Sequence, residues 1–310
     1  MKNKHGKKSQ LSSSKLLSVL KYENGLKCAH LNVRSLLPKI EEVRHHIQSG
    51  ALDVLCINET WLDSDVGDDL VSIPGYNIFR RDRNRHGGGV CIFVKQSHHC
   101  RLMSMVSIVE SVWVEISLNK KETYIVGTIY RPPSSGTAYY DGILNDIEFV
   151  QSINEKIILL GDLNIDYSFD HSLHSNPIHL IEHTYNMKQL VLQPTRVTAT
   201  TSSLIDVILT TVADDHVKTG VVDLSLSDHK LIYTIIATAK NVNISITIYG
   251  IDPIRISTRV IFYLMLKLCY MRKMNILRII MKKILIFYGI SSSLVLLPSV
   301  INMLESKFNA

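Results

Sequence analysis

The sequence predicts an α/β (α+β) domain in which mixed β-sheets form a sandwich, and not a doubly wound parallel sheet. Three observations carry that reading. Between residues 26 and 238 many short apolar segments alternate with only a few helical stretches. Several neighbouring segments alternate apolar and polar residues, the pattern of antiparallel strands with one face on a core. The run Ile157-Ile158-Leu159-Leu160 is apolar throughout, as suits a strand buried on both faces.

The elements follow in order. Leu26–Asn32 is the first strand, and an amphipathic stretch over Pro38–Gln48 comes next. Asp53–Asn58 is a buried strand that stops at Glu59. Gly87-Gly88-Gly89 introduces the strand Val90–Lys95. Ser111–Leu118 and Thr123–Tyr130 form an alternating pair joined by a turn at Asn119-Lys120-Lys121. Tyr139–Ser152 reads as a helix, the strand at 156–160 follows, and His174–Leu190 reads as a second helix. Leu204–Leu209 and Leu231–Ile236 close the domain, and no internal repeat is present.

The 310 residues suffice for one large domain. The net charge of +6 is unevenly spread: residues 1–25 carry +5, residues 26–240 carry −6 and residues 241–310 carry +7. A basic domain built for nucleic acid does not usually look like this. If residues 26–240 act on a polyanion, their carboxylates must gather where a cation neutralises them. The first 25 residues form a Lys- and Ser-rich tail, and Lys2, Lys4, Lys7 and Lys8 suit a solvated tail, a nuclear import patch or a polyanion-binding arm. The five cysteines show no CxxC spacing, so buried free thiols in a reducing compartment are expected and no zinc site is indicated. No apolar core follows the N-terminal lysines, so there is no secretory signal.

Residues 241–310 change character to a mixture of Ile, Lys, Asn, Met and Tyr. Positions 284–304 hold 21 residues without a charge behind Arg278, Lys282 and Lys283, long enough to span a membrane. Gly289, Ser291–Ser293 and Pro298 oppose that reading. Three readings stand: a non-native tail of the kind that read-through or out-of-frame translation produces, a membrane anchor, or an ordinary packed extension.

Polar groups recur where apolar strands end. In Gly161-Asp162-Leu163-Asn164 the glycine is expected to turn the chain, so that Asp162 and Asn164 leave the sheet edge on one side. A carboxylate and a carboxamide together can orient a water and hold a phosphate oxygen. Asn32, Glu59 and Tyr130-Arg131 end other strands, and Asp228-His229 precedes the last one. Asp206, flanked by Leu204, Ile205, Val207 and Ile208, needs a partner to be tolerated among aliphatics, and His229 is the candidate.

The ordered set Asn32, Glu59, Tyr130-Arg131-Pro132-Pro133, Gly161-Asp162-Leu163-Asn164, Asp206 and Ser227-Asp228-His229 resembles the endonuclease/exonuclease/phosphatase superfamily. Leu31-Asn32-Val33-Arg34-Ser35-Leu36, Asn58-Glu59-Thr60-Trp61-Leu62, Gly87-Gly88-Gly89-Val90 and Ser203-Leu204-Ile205-Asp206 are similar to the apurinic-type endonuclease domain of non-LTR retrotransposons. The resemblance spans about residues 26–240 and implies a DNase I-like, four-layer sandwich: two mixed sheets flanked by helices. It also implies metal-dependent hydrolysis of a phosphodiester. Glu59 would bind Mg²⁺, or Mn²⁺ in its place, with Asn32 and Asp228 beside it. Asp162 would orient or deprotonate the attacking water, Asn164 would hold a phosphate oxygen and Tyr130 would donate to the scissile phosphate. His229, steadied by Asp206, would stabilise charge in the transition state.

Repair relatives usually carry an Arg where this chain has Leu204, and the resemblance to retroelement relatives implies that the neighbouring Ser203 would take over the phosphate contact. Arg131, Arg80 and Arg81 are further candidates for phosphate or DNA contact, with Arg83 and Arg85 close by. The expected activity is nicking of double-stranded DNA by a monomer, in the nucleus, leaving a 3′-hydroxyl. No polymerase segment follows, so the chain reads as a truncated element. Two other readings share the motifs: a phosphodiesterase for inositol phosphate or sphingomyelin, and an inactive or co-opted remnant.

Overall fold

A computed structural model describes Leu20 and residues 23–50, 52–119, 122–168, 176–212, 217–238, 244–246 and 254–256. Strands β1 (Leu26–Asn32) and β2 (Val54–Asn58) are separated by a short 3-10 turn, Leu37–Lys39, and helix α1 (Ile40–Gly50). A one-turn helix, α2 (Asp68–Val71), precedes β3 (Tyr76–Arg81), β4 (Val90–Lys95), β5 (His99–Leu102), β6 (Glu110–Asn119) and β7 (Glu122–Tyr130). Helix α3 (Thr137–Ile153) leads to β8 (Ile157–Asp162), and α4 (Pro177–Tyr185) leads to β9 (Lys188–Gln189). The small hairpin β10 (Arg196–Val197) and β11 (Ser202–Ser203) is followed by β12 (Asp206–Thr210), β13 (Val217–Val222) and β14 (Leu231–Ile236).

Two six-stranded sheets result, in the orders β13-β14-β1-β2-β4-β3 and β5-β6-β7-β8-β12-β9. Each is mixed: β1 and β2 run parallel in the first, β7 and β8 in the second, and the remaining pairs are antiparallel. Period-2 alternation assigns the faces. Cys28, Val54, Cys56, Val90 and Ile92 of the first sheet share one buried layer with Val114, Val126, Ile158, Leu160 and Ile208 of the second. The outward residues Ala29, Leu31, Leu55, Ile57 and Phe93 pack under Ile40, Val43 and Ile47 of α1. On the other side Trp113, Ile125, Leu159 and Val207 pack under Ile143, Ile147 and Val150 of α3 and Ile178 and Ile181 of α4. The layers therefore run helix, sheet, sheet, helix, the four-layer sandwich that the resemblance implies.

The structure differs from the sequence reading in several elements. β3, β5 and β13 escaped detection because they run partly exposed, with few fully buried positions to impose a period. The helix expected over 174–190 stops at Tyr185, because Asn186 adopts a left-handed φ of 49° as its C-cap, and β9 follows. Gly161 makes no turn. It continues β8, and a Cβ there would stand 2.0 Å from the Ile129 carbonyl oxygen of the neighbouring strand. The chain leaves the strand at Asn164 instead, with φ of 49°.

Cys28, Cys56 and Cys91 are buried free thiols. Of the N-terminal tail only Leu20 and residues 23–25 are described; Leu20 is buried against the outer core of the first sheet. The chain divides into two compact units, Met1–Thr238 and Ala239–Ala310. Of the second unit the structure describes a hairpin of β15 (Ile244–Ile246) and β16 (Ile254–Ile256). The 284–304 segment lies outside the described residues, and among these no helix is long and apolar enough to cross a membrane.

Candidate active site

The parallel pairs β1–β2 and β7–β8 place their carboxyl ends at the same edge of the sandwich, and the register aligns the polar residues there. Asn32 pairs with Asn58, Tyr130 with Asp162, and Asp162 with Asp206 on the antiparallel β12. Cys28 and Leu160 face the layer between the sheets, so Asn32 and Asp162, displaced from them by even numbers of residues, face it too. A one-residue slip of any strand would turn its functional side chain into a helix-covered core.

Asn32 is fully buried and joins the two sheets. Its amide donates to Glu59 Oε1 at 3.1 Å and to Asp162 Oδ2 at 2.9 Å, and its Oδ1 accepts from the Arg34 backbone N–H at 3.1 Å. Glu59 is held further by Trp61 Nε1 at 3.2 Å on one oxygen and by the Tyr130 hydroxyl at 3.0 Å on the other. Both Glu59 and Trp61 have φ near +50°, a strained backbone for residues with a Cβ, and one that loops keep where function requires it. Burial, then the Glu59 carboxylate, push the Tyr130 phenol up, so it stays a donor.

Asp162, Asp206 and His229 form a compact trio. His229 Nδ1 lies 2.9 Å from Asp206 Oδ2, and its Nε2 lies 4.0 Å from Asp162 Oδ2. Burial, followed by repulsion from Asp206, drives the Asp162 pKa well above the ordinary carboxylate range. For His229 burial pulls the pKa down, but the bond to Asp206 and the charges of Asp206, Asp162 and Asp228 outweigh it, and the net shift is upward. With Nδ1 held by Asp206, Nε2 is left facing the site, an acceptor on the neutral ring and a donor on the imidazolium that the upward shift favours.

Below the trio the buried His30 bonds through Nε2 to Asn58 Oδ1, which also accepts from the Thr128 hydroxyl at 3.2 Å across the two sheets. The His30 Nδ1 faces Asp206 Oδ1 at 3.7 Å. Asn164 turns back on the strand: its backbone N–H donates to Asp162 Oδ1 and its carboxamide to the Arg131 carbonyl, both at 2.9 Å.

The remaining expected residues divide. Asp228 adjoins His229, yet both its oxygens are taken by arginines: Arg34 Nη1 at 3.1 Å and Arg196 Nε at 2.8 Å. Arg131 is spent on the carbonyls of Leu163 and Ser135. Arg80 is drawn to Asp68 and Asp82, and Arg81 donates one N–H to the Ser107 carbonyl. Ser203 pairs with Arg196 across the β10–β11 hairpin. Arg83, by contrast, stacks over the Tyr130 ring at 5.8 Å and pairs with Glu110. The sequence reading assigned no role to Arg34, Trp61, Arg196 or His30, although Arg34 and Trp61 stand inside the motifs quoted for the resemblance.

A family model described as the endonuclease/exonuclease/phosphatase family matches residues 29–229. No curated protein matches the chain. Among solved structures, the endonuclease domain of TRAS1, a telomere-specific non-LTR retrotransposon, superposes with a TM-score of 0.55 at 17% identity, covering 69% of this chain and 99% of that one. A mannosyl-6-phosphatase of Bacteroides thetaiotaomicron gives 0.51 at 16% identity, covering 69% of this chain and 100% of its own. The 3′ phosphatase NExo from Neisseria, bound to a product DNA hairpin, gives 0.52 at 16% identity with 69% and 100% coverage.

Proposed function

The chain belongs to the endonuclease/exonuclease/phosphatase family, and from that membership we propose that it is a metal-dependent endonuclease that nicks double-stranded DNA and leaves a 3′-hydroxyl. The observation that carries the reading is the buried trio of Asp162, Asp206 and His229 set beside the Asn32–Glu59 pair. A general base, a fixed imidazole donor and a carboxylate for a cation are the parts that phosphodiester hydrolysis needs.

The donor set fits an oxygen-preferring cation. Glu59 and Asp162 converge on one Asn32 amide, and among the described residues no lysine or arginine pairs with either carboxylate. Glu59 with Asn32 would hold Mg²⁺, with Mn²⁺ able to substitute. When bound, the ion supplies neutralisation of the charge that builds on the phosphoryl oxygens. Asp162 takes the proton of the attacking water, and its raised proton affinity makes it a stronger base than a free carboxylate. The carboxylate neighbours of His229 favour its imidazolium form, which donates from Nε2 to a phosphoryl oxygen. Asp206 orients the ring through Nδ1, while Tyr130 and Trp61 hold Glu59 in place.

DNA is favoured over other phosphodiesters by the Asn58-Glu59-Thr60-Trp61 and Tyr130-Arg131-Pro132-Pro133 motifs. The fold likeness to the TRAS1 endonuclease domain agrees with that choice. The full chain, incubated with supercoiled plasmid and Mg²⁺, is expected to give open circles whose nicks a polymerase extends directly. EDTA, Asp162→Asn and His229→Ala should each abolish the product. A wild-type chain that leaves plasmid intact, or variants that nick as well as wild type, would refute the proposal.

A further inference from the structure

Two arginines far apart in sequence share one carboxylate beside His229. Arg34 and Arg196 each spend a single guanidinium N–H on Asp228, and their side chains remain 47% and 35% exposed. Among the described residues neither guanidinium has another side-chain partner. One carboxylate neutralises only one of the two cations, so the trio keeps a net positive charge within a segment, 26–240, whose own net charge is −6. Two cations held by one anion attract a second anion, and arginine's planar fork suits a phosphate.

Both arginines are placed by the backbone of the candidate active site. Arg34 follows Asn32 by two residues, sits at φ of 46° and donates its own N–H to Asn32 Oδ1. The next two residues bond to the loop after β2, Ser35 N–H to the Glu59 carbonyl and Leu36 N–H to that of Thr60, each at 2.9 Å. Arg196 forms an antiparallel bridge with His229, flanked by Val197 N–H to the Asp228 carbonyl at 2.9 Å and Lys230 N–H to that of Thr195 at 2.7 Å. A left-handed backbone at Arg34 and then at Ser35, with φ of 83°, costs free energy that an incidental surface pair would not justify.

We propose that Arg34 and Arg196, bridged by Asp228, form a clamp for a backbone phosphate of the DNA strand adjacent to the phosphate that is cleaved. The assignment rests on the nuclease reading and deepens it: Asp228 orients the clamp, and the clamp positions the strand over Asp162 and His229. A phosphate contact carries no base information, so the clamp strengthens binding uniformly across sequences.

Binding of the full chain to a fluorescent duplex is measured by anisotropy in EDTA over a range of salt, and nicking is measured separately with Mg²⁺. Each phosphate contact contributes about 0.9 to the slope of log affinity against log salt. Arg34→Gln and Arg196→Gln should each flatten the slope, and the double variant should flatten it by about 0.9, the share of one phosphate. Arg101→Gln is the control, because Arg101 pairs with Glu115 on the edge strand β5 and removes the same charge elsewhere. The double variant should also raise KM on two unrelated duplexes equally, and by more than it lowers kcat. If wild type binds and nicks while the double variant keeps its slope, or loses no more than the control, the clamp is overturned and the nuclease reading stands. A wild-type chain that neither binds nor nicks overturns both.

Discussion

Replacing Asn32 with Asp keeps the shape of the side chain and removes both amide hydrogens that hold Glu59 and Asp162. The lost bonds measure 3.1 and 2.9 Å and both end on carboxylates. Hydrogen bonds to charged groups are worth about 1.5–3 kcal/mol each. Glu59 is half-buried, so water can replace part of its share, whereas Asp162 is 1% exposed and gains no substitute. The expected loss is therefore about 3–4 kcal/mol without metal, and a third carboxylate adds repulsion to it. For a domain of this size each kcal/mol moves the melting temperature by about 2–4 °C, so the variant should melt roughly 10 °C below wild type in EDTA. The new carboxylate has its folded pKa raised by burial and by its neighbours. The folded state then holds the extra proton more tightly than the unfolded chain, so the penalty grows as pH rises from the unfolded carboxylate value and fades as pH falls. Circular dichroism melts in EDTA at several pH values measure this. A variant within about 2 °C of wild type at neutral pH would show that Asn32 does not hold the two carboxylates as described.

Two other outcomes follow from the same geometry. Gly161→Ala directs a methyl group at the Ile129 carbonyl, 2.0 Å away on backbone that cannot rotate aside. Overpacking of this kind costs about 1–3 kcal/mol or more, and the shift of β8 carries Asp162 with it, so plasmid nicking should fall further than a denaturant midpoint predicts. His30, buried and desolvated, has its pKa pushed down to about 4 from 6.5. Between those values the unfolded chain binds the proton and the folded chain does not, so the contribution of His30 to stability should fall as pH drops through that window, by about 3 kcal/mol, against the opposite contribution of the raised Asp162. His30→Gln should flatten that limb of the stability profile in urea titrations, and an unchanged limb would count against the assignment.

The first sheet's central strands were legible because burial on both faces leaves mostly apolar residues. β1, β2 and β4 are almost wholly buried, and their runs stand out in the sequence. The outer strands were not: β3 and β5 are half-exposed, and partial burial imposes no clean period. Gly161 shows the same limit at one residue. A glycine that ends an apolar run suggests a turn, yet here it is required by the close approach of β7, which only the neighbouring strand reveals.

At the candidate site, the recurrence of polar groups at strand ends drew attention to Asn32, Glu59 and Asp162, the aliphatic flanks of Asp206 called for a partner in His229, and the family resemblance supplied the roles. The fate of the arginines could not be inferred. Arg80, Arg81, Arg34 and Arg196 are equivalent in sequence, each a long cation in a polar stretch. Their roles separate only when folding sets Asp68 and Asp82 against Arg80, and Asp228 between Arg34 and Arg196. Local chemistry is written in the chain, and it determined which groups could react. Which charge meets which depends on distant contacts, 194 residues apart for Arg34 and Asp228, and only the tertiary structure decided that.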